Sequence, residues 1–526
     1  MTSIETHDTS ITYRPVAVID IGTSSIRMAI AEIGSDSTIR ILDRLTQAVN
    51  LGKDTFTRGL IQHKTIEECV QVLLSYKQVL LEYEITASEQ LHVIATSAVR
   101  EAENQLAFLD RVYIATELEV DAMDEAEVSR ITYLGIRAEL ESTPADTTTV
   151  VCEVGGGSTE LLAIHDNQID FAHTYNLGSL RLRKSLDTYG APVTQSRQLM
   201  EAQIDHATGL FHEHLEQQRT FELLALGGDI RFAANQINNH WDNDTGATIS
   251  TDALETLTNE ILAMPLEKIV QQYQLRITYQ EAETLGPALL TYLTIAKQMK
   301  VDQIRVSNAN LRDGLLQEMA LEEAWSREFQ NQIIGSVLEL GRHFEFDESH
   351  AVHVAKLATE LFGQLQEQHD LDPRYETFLR VAALLHEIGL FISNRSYHKH
   401  TMYLINHSEL FGLGKTNLLV IALVARYHRR ASPQPKHEGF SRLDRDNRVA
   451  VSKLAAILRI AVALDASRNQ AIHQIQCAME GQHLIVSTAD TTDLSLEQLA
   501  LQQSGILFEE TFGLRILLQS KATDLE

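Results

Sequence analysis

Short apolar runs broken by glycine turns dominate the first three fifths of the chain. VAVID (16–20) is a buried-strand pattern, the turn IGTSS follows, and IRMAIAEI predicts a second strand. IRILDRL (39–45) predicts a third. IEECVQVLLSYKQVLLEYEI (66–85) carries its apolar residues at helical spacing, LHVIATSAV (91–99) reads as a strand running into a loop, and EVSRITYLGIRAEL (127–140) as a helix. STPADTT (142–148) is a polar linker containing Pro144, and residues 1–14 are polar and expected to fray.

After the linker the opening pattern returns. TVVCEVGGGSTELLAI (149–164) is again strand, glycine turn, strand, and QIDFAHTYNL stands where the third strand stood. With Asp20 set over Glu153, Gly22 falls on Gly155, Ser25 on Ser158, and Met28-Ala29 on Leu161-Leu162. Two such copies, each with a carboxylate ending its first strand, predict a duplicated α/β domain. LLALGGD (223–229) is a third strand entering a glycine turn, and IRVSNANLRDGLLQEM (304–319) closes this half as strand, loop and helix. From about residue 330 the period becomes helical throughout: IIGSVLELGRHF, HAVHVAKLATELFGQL, YETFLRVAALLHEIGLFI, NLLVIALVARYH and VAVSKLAAILRIAVALDAS. The expected divisions are a frayed 1–14, α/β subdomains 15–145 and 146–325, an all-helical domain 326–475, and a small α+β segment 476–526.

Composition narrows the partners. Forty-four basic against 72 acidic side chains give a net charge of −28, which disfavours a general nucleic-acid binder or an anionic-membrane binder. Cys69, Cys152 and Cys477 match no metal spacing and are expected as free thiols of a cytoplasmic protein. The start of the chain has no apolar signal core, and no apolar stretch is long enough to predict a membrane span.

Two glycine hairpins facing one cleft make a phosphate clamp, because successive backbone N–H groups can approach an anion closely. Asp20 and Glu153 would then face the same phosphate, an arrangement that calls for a divalent metal between them. Mg²⁺ fits, since it takes few carboxylates and keeps water and phosphate oxygens as ligands. Either hairpin alone is equally readable as a turn that only redirects the chain.

DIGTSSIRM and EVGGGSTE resemble the two phosphate motifs of the sugar kinase/actin/heat-shock ATPase fold. More narrowly, the chain resembles the exopolyphosphatase/guanosine pentaphosphate phosphatase family. TSAVREAEN (96–104), AEVSRITYLGI (126–136), EVGGGSTE (153–160), NLGSLRL (176–182) and VSNANLRDGLL (306–316) occur in the family's order. The resemblance spans roughly 15–500 and includes LLHEIGLFI, HKHTMYLI and ARYHRRASP. It implies an actin-like (ribonuclease H-like) α/β fold followed by an HD-like helical domain. It also implies Mg²⁺-dependent hydrolysis of a terminal phosphoanhydride, on inorganic polyphosphate or guanosine pentaphosphate, by a homodimer. Glu127 matches the family's catalytic base, which activates the attacking water; by itself it reads as a solvated carboxylate in a first helical turn. Glu160 would assist it, and Asp20 and Glu153 would hold the metal. Arg100 would grip the terminal phosphate, with Gly22, Thr23, Ser24, Gly155, Gly156, Gly157 and Ser158 donating to it. Three departures touch this set. Glu153 replaces the usual Asp and reaches about 1.5 Å further. Ser24 stands where Asn is frequent, and Val128 where a second Glu is common.

In the helical half, LLHEIGL resembles the His-Asp helix of metal-dependent phosphohydrolases. His350 or His353, His386 and His428 are available, but Glu387 follows His386 where Asp is usual and Val462 occupies the place of the last Asp. Two ligand positions have departed, so a working metal centre is not expected there, unless Asp465, one turn on, substitutes. Residues 426–459 hold nine basic against three acidic side chains, a local balance of +6. Arg426, Arg429, Arg430 and Arg445 in this stretch form either a channel for a long polyanion or a solvated face.

The leading expectation is an exopolyphosphatase. The others are a guanosine pentaphosphate phosphohydrolase, a non-catalytic sensor of polyphosphate or guanosine tetraphosphate, which Glu153 would suit, and a kinase of the same fold.

Overall fold

The computed structural model describes residues 11–141, 143–144, 146–189, 193–214, 220–238, 246–273, 277–321, 325–429, 431–488 and 493–520. The chain divides into two compact units that meet in sequence at Ala324 and Trp325.

The first unit holds two sheets built on one plan. β1 (Tyr13–Ile21), β2 (Ser25–Gly34) and β3 (Ile39–Ala48) form an antiparallel meander; β4 (Leu91–Ala95) and β5 (Asp121–Ala122) extend it in parallel, in the order β3-β2-β1-β4-β5. β6 (Thr147–Val154), β7 (Thr159–His165) and β8 (Gln168–Tyr175) repeat the meander. β9 (Thr220–Leu226) and β11 (Gln303–Val306) run parallel to β6, and β10 (Ala247–Ser250) is an antiparallel edge, in the order β10-β11-β9-β6-β7-β8. The duplicated α/β architecture expected from the sequence is present.

Side chains alternate across a strand, so one strand feeds two cores. In β1, Ala17, Ile19 and Ile21 pack with Cys69, Leu73 and Phe108 beneath one face. Val16 and Val18 pack on the other with Ile131, Leu311 and Leu315. These apolar side chains are fully or almost fully buried, and each valine, leucine, isoleucine and phenylalanine among them contributes about 1.5–3 kcal/mol. By the same alternation Asp20 lies on the Val16/Val18 face, at the end where the helices Glu125–Leu140 and Leu311–Leu321 meet. Those helices approach closely: a Cβ on Gly314 would come 2.0 Å from the Ile131 carbonyl oxygen. In the second sheet Val150, Cys152 and Val154 face a core that includes the helix Tyr279–Met299. Tyr292 from that helix accepts from the Val154 N–H at 2.9 Å and donates to the Leu226 carbonyl, tying the ends of β6 and β9 together.

Three local expectations are corrected. Tyr13 and Arg14, assigned to the frayed end, already pair with Gly34 and Ile33. The segment after Ala95 is one helical turn, Ser97–Arg100, because the Thr96 carbonyl accepts from the Val99 and Arg100 amides. The helix expected at 127 starts at Glu125, where Asp124 caps the Glu127 N–H at 3.0 Å.

The second unit is helical from Arg327–His343 through Glu348–Gln364, Arg374–Leu385, Tyr397–Asn406, Lys415–Arg426 and Arg445–Ala463. A three-stranded sheet, β12 (Gln476–Glu480), β13 (His483–Thr488) and β14 (Arg515–Ser520), follows with the helices Ser495–Ser504 and Ile506–Phe512. LLHEIGLFI does not continue as one helix. The helix stops at Leu385, because Gly389 lies against Tyr397 and Thr401 so closely that a Cβ would meet the Tyr397 carbonyl oxygen at 2.2 Å. Thr401 Oγ1 accepts from the Gly389 N–H and donates to the His386 carbonyl, fixing the break. Among the described residues no helix is long and apolar enough to cross a membrane. The three cysteines are free.

Candidate active site

The two hairpin turns close identically. The Gly22 N–H donates to the Ser25 carbonyl at 3.0 Å, and the Gly155 N–H to the Ser158 carbonyl at 2.8 Å. Each loop is anchored to a following helix: the Gly52 N–H donates to the Thr23 carbonyl at 2.8 Å, and the Leu180 N–H to the Gly156 carbonyl at 3.0 Å. The tips meet. A Cβ on Gly156 would come 2.7 Å from Thr23 Cγ2, so only a glycine fits between them.

Between the loops lies a polar cleft of about 240 Å³. Asp20, Gly22, Thr23, Ser24, Arg100, Glu153, Gly155, Gly156, Ser158 and Glu160 all line it. Two expected residues are not among its lining residues. Gly157 lies outside the lining: a Cβ there would meet Phe56 and Ser97, and its carbonyl accepts from Arg181 Nε at 2.5 Å. Arg181 in turn stacks over the Phe56 ring at 4.1 Å and pairs with Glu101. Glu127 is half-buried in the first turn of its helix, one residue before the cleft-lining Val128.

Charge is crowded here. Glu153 and Glu160 are register partners across β6 and β7. Burial pushes both carboxyls up, Glu160 to about 7, and the Glu153 charge adds to the effect on Glu160. Ser158 Oγ donates to Glu160 Oε1 at 2.6 Å. Glu127 is also raised to about 7, by burial first and then by Asp124 and Asp121. Arg100 Nη1 donates to the Met123 carbonyl at 2.9 Å, while its buried Nε has no partner.

Sequence reasoning missed the cations that answer these carboxylates. Arg312 Nη1 donates to Asp20 Oδ2 at 3.2 Å. Arg231 is held by the Ala309 and Ser307 carbonyls at 3.2 and 3.4 Å, and its charge pulls Glu153 back down. Arg27 is the register partner of Asp20. Arg27, Arg231 and Arg312 all line the cleft. Asp229, also in the lining, is pushed up to about 7 by burial and by Glu281.

The carboxylates Asp20, Glu153 and Glu160 offer only oxygen, a donor set that suits a hard cation. Among the described residues Asp20, Glu153 and Glu160 do not close to within 4.8 Å as a three-ligand cluster. An ion held by one or two carboxylates, with water and phosphate completing its shell, is the arrangement they fit.

The basic segment of the second unit is partly committed to structure. Arg459 is buried, donating to the Tyr427 and Ala431 carbonyls at 2.7 and 2.8 Å. Lys453 donates to the His369 carbonyl and Arg448 to the Asp444 carbonyl. Arg426 reaches Met402 Sδ and the Glu438 carbonyl, Arg429 stacks over Tyr397 at 4.9 Å, and Arg445 is exposed in a first helical turn. Arg430 lies outside the described residues.

The chain is similar to several known proteins. A relative from Photobacterium profundum, a guanosine-5'-triphosphate,3'-diphosphate pyrophosphatase, is 22% identical over 465 residues, covering 85% of this chain and 86% of its own. A protein of the same name from Pseudoalteromonas atlantica is 23% identical over 475 residues, covering 86% of each. An exopolyphosphatase structure from Cytophaga hutchinsonii superposes with a TM-score of 0.53 at 21% identity, over 59% of this chain and 98% of its own. The Aquifex aeolicus Ppx/GppA family member gives 0.50 at 24%, over 60% and 100%. These two share the actin-like fold of the first unit. The family model for Ppx/GppA phosphatases matches residues 17–323 and that for their domain III matches 334–509, so the chain belongs to the Ppx/GppA phosphatase family.

Proposed function

We propose that the cleft hydrolyses the terminal phosphoanhydride bond of a polyphosphate chain, releasing orthophosphate. Family membership makes the chain a phosphoanhydride hydrolase. The observation that carries the substrate class is the pairing of two glycine hairpins over one polar cleft that also holds Arg27, Arg100, Arg231 and Arg312. Such a site fits a short run of phosphate oxygens rather than an apolar acceptor.

In this reading the backbone of Gly22, Thr23, Gly155 and Gly156, with Ser158, orients the terminal phosphate. Arg100 faces it with a guanidinium whose Nε is still unpartnered. Glu127, poised near neutrality, takes the proton of the attacking water. Ser158 holds Glu160 so that it can order that water. Asp20 and Glu153 are the residues that would hold Mg²⁺, which when bound neutralises charge on the phosphate oxygens. The second unit is read as HD-like, and its Arg429 and Arg445 as further contacts for a long polyanion, with a head-to-head homodimer as the assembly.

A second reading has direct support. The two relatives named above, both guanosine-5'-triphosphate,3'-diphosphate pyrophosphatases, are matched over 86% of their length. The same chemistry on guanosine pentaphosphate is therefore the alternative. Orthophosphate release from long-chain polyphosphate and from guanosine pentaphosphate, measured in parallel with Mg²⁺ and with Glu127→Gln as blank, separates the two. Faster turnover of polyphosphate is expected; preference for the nucleotide assigns the second reading. Release from neither, with tight binding kept, makes the protein a sensor.

A further inference from the structure

The helical unit carries a cluster that the phosphatase chemistry does not use. His350, His386 and Glu387 each offer a ligand atom, and these atoms lie within 4.8 Å of one another. His350 and His386 are 2% and 1% exposed. Their ring centroids are 5.5 Å apart.

The hydrogen bonds fix the tautomers. His350 Nδ1 sits 2.7 Å from Asp465 Oδ2, whose other oxygen accepts from the Gln470 N–H at 3.0 Å, so the ring donates and the carboxylate accepts. His386 Nδ1 sits 2.7 Å from the Ala383 carbonyl, which can only accept. In a neutral imidazole the other nitrogen is then a bare lone pair. The structure gives Nε2 of His350 and Nε2 of His386 no partner at all, although both are buried. A buried acceptor without a donor costs about 1–3 kcal/mol. Two of them on one spot, beside a carboxylate, need a shared electron-pair acceptor.

The chain is bent to make this spot. The helix ends at Leu385, so the consecutive residues His386 and Glu387 serve one centre, and Thr401 fixes the break. Arg468 donates to both Glu387 oxygens at 2.7 and 2.8 Å. An ionised carboxylate has about four lone-pair sites, so Arg468 orients it without exhausting it. Asp465 does for His350 what second-sphere carboxylates do for metal-bound imidazole. The sequence-based expectation counted the missing aspartates at 387 and 462 and did not place Asp465 on His350.

We propose that His350 Nε2, His386 Nε2 and the Glu387 carboxylate bind one divalent transition-metal ion, with Asp465 as the positioning residue. Two imidazoles and a carboxylate suit Zn²⁺, Fe²⁺ or Mn²⁺ and leave a coordination position for water; Mg²⁺ prefers an all-oxygen set. Ligands about 2.1 Å from such an ion sit about 3.4 Å apart, so the cluster tightens modestly on binding.

The test is metal content by mass spectrometry of the full chain, purified without chelator and then equilibrated with Zn²⁺, Fe²⁺ or Mn²⁺. One equivalent of one of these ions is expected beyond what His386→Gln retains. Asp20→Asn, which alters the phosphatase cleft, should keep that equivalent. Asp465→Asn should weaken the site about 10–100-fold. Bound metal should also raise the melting temperature of the wild type more than that of His386→Gln, a comparison that requires only a folded variant. Should His386→Gln fail to fold, Glu387→Gln takes its place. Equal metal content in wild type and the ligand variant, or no uptake of any of the three ions by the wild type, would overturn the assignment.

Discussion

Glu153 and Glu160 stand directly opposite each other in the antiparallel pair of β6 and β7, on the same face of the sheet. Like charges in this relation destabilise a sheet. The corresponding register pair of the first hairpin is Asp20 with Arg27, an opposite-charge pair. The duplication therefore kept the backbone and made one lobe self-neutralising and the other acidic. Burial raises both glutamates, so they favour folding while protonated and oppose it once ionised. Stability from Glu160 is present at the ordinary carboxylate range and lost as pH rises through about 7. Glu160→Gln should raise the melting temperature at pH 8 more than at pH 5, while lowering phosphate release. A variant less stable than wild type at pH 8, in scanning calorimetry without Mg²⁺, contradicts this account.

Glu127 carries the proton in the proposed reaction, and its carboxyl is raised to about 7. As a base it works only when ionised, so kcat should climb with pH through about 7 and level off above. Glu127→Gln keeps the volume and the capped helix start but removes the base. A loss of about 10²–10⁴ in kcat is expected, with little change in KM. The acid limb of the pH profile should disappear from the residual activity. Persistence of that limb would assign it to Glu160 or Asp229, which also sit near 7.

Arg312 and Asp20 form a buried pair that no local pattern announces, since 292 positions separate them. Removing the arginine leaves Asp20 buried without its ion-pair partner. Arg312→Gln should cost about 3–5 kcal/mol in urea unfolding. The double variant Asp20→Asn/Arg312→Gln should recover part of that loss, because it removes the charge left behind. Additive losses in the two single variants would show that the pair is not coupled.

The legible part of the fold was local. An apolar run followed by a glycine turn needs only a few consecutive residues, and its repetition is enough to set Asp20 over Glu153. Gly22 and Gly155 do close equivalent turns. The cleft's cations were not legible in this way. Arg27 is one polar position within an apolar strand, Arg231 follows a third glycine turn, and Arg312 comes from a helix at the far end of the unit. Counting charge misled in the opposite sense at 426–459. Arg459, Lys453 and Arg448 look like free cations in sequence, yet they hold backbone carbonyls, a use that leaves no periodic trace.

Gly178 tests whether the second phosphate loop is shaped by its neighbour. It follows β8, and a Cβ there would come 2.3 Å from the Gly156 carbonyl oxygen and 2.4 Å from the Gly157 carbonyl carbon. These are backbone atoms of the loop that faces Thr23, so they cannot turn aside as a flexible side chain would. The same loop is stitched to the helix Ser179–Tyr189 by the Ser179 N–H, which donates to the Gly155 carbonyl at 2.9 Å. Gly178→Ala should therefore push the Gly155–Gly157 backbone away from the helix and cost about 1–3 kcal/mol. The displaced amides should also hold the terminal phosphate less well, lowering kcat/KM. Gly209, where a Cβ would meet nothing within 4 Å, is the control site. Gly209→Ala lies within a helix, so it should hold or raise stability by up to about 1 kcal/mol and leave turnover alone. If Gly178→Ala keeps both stability and kcat/KM at wild-type values, the loop's position is set by Thr23 and Arg181 rather than by the close approach of Gly178.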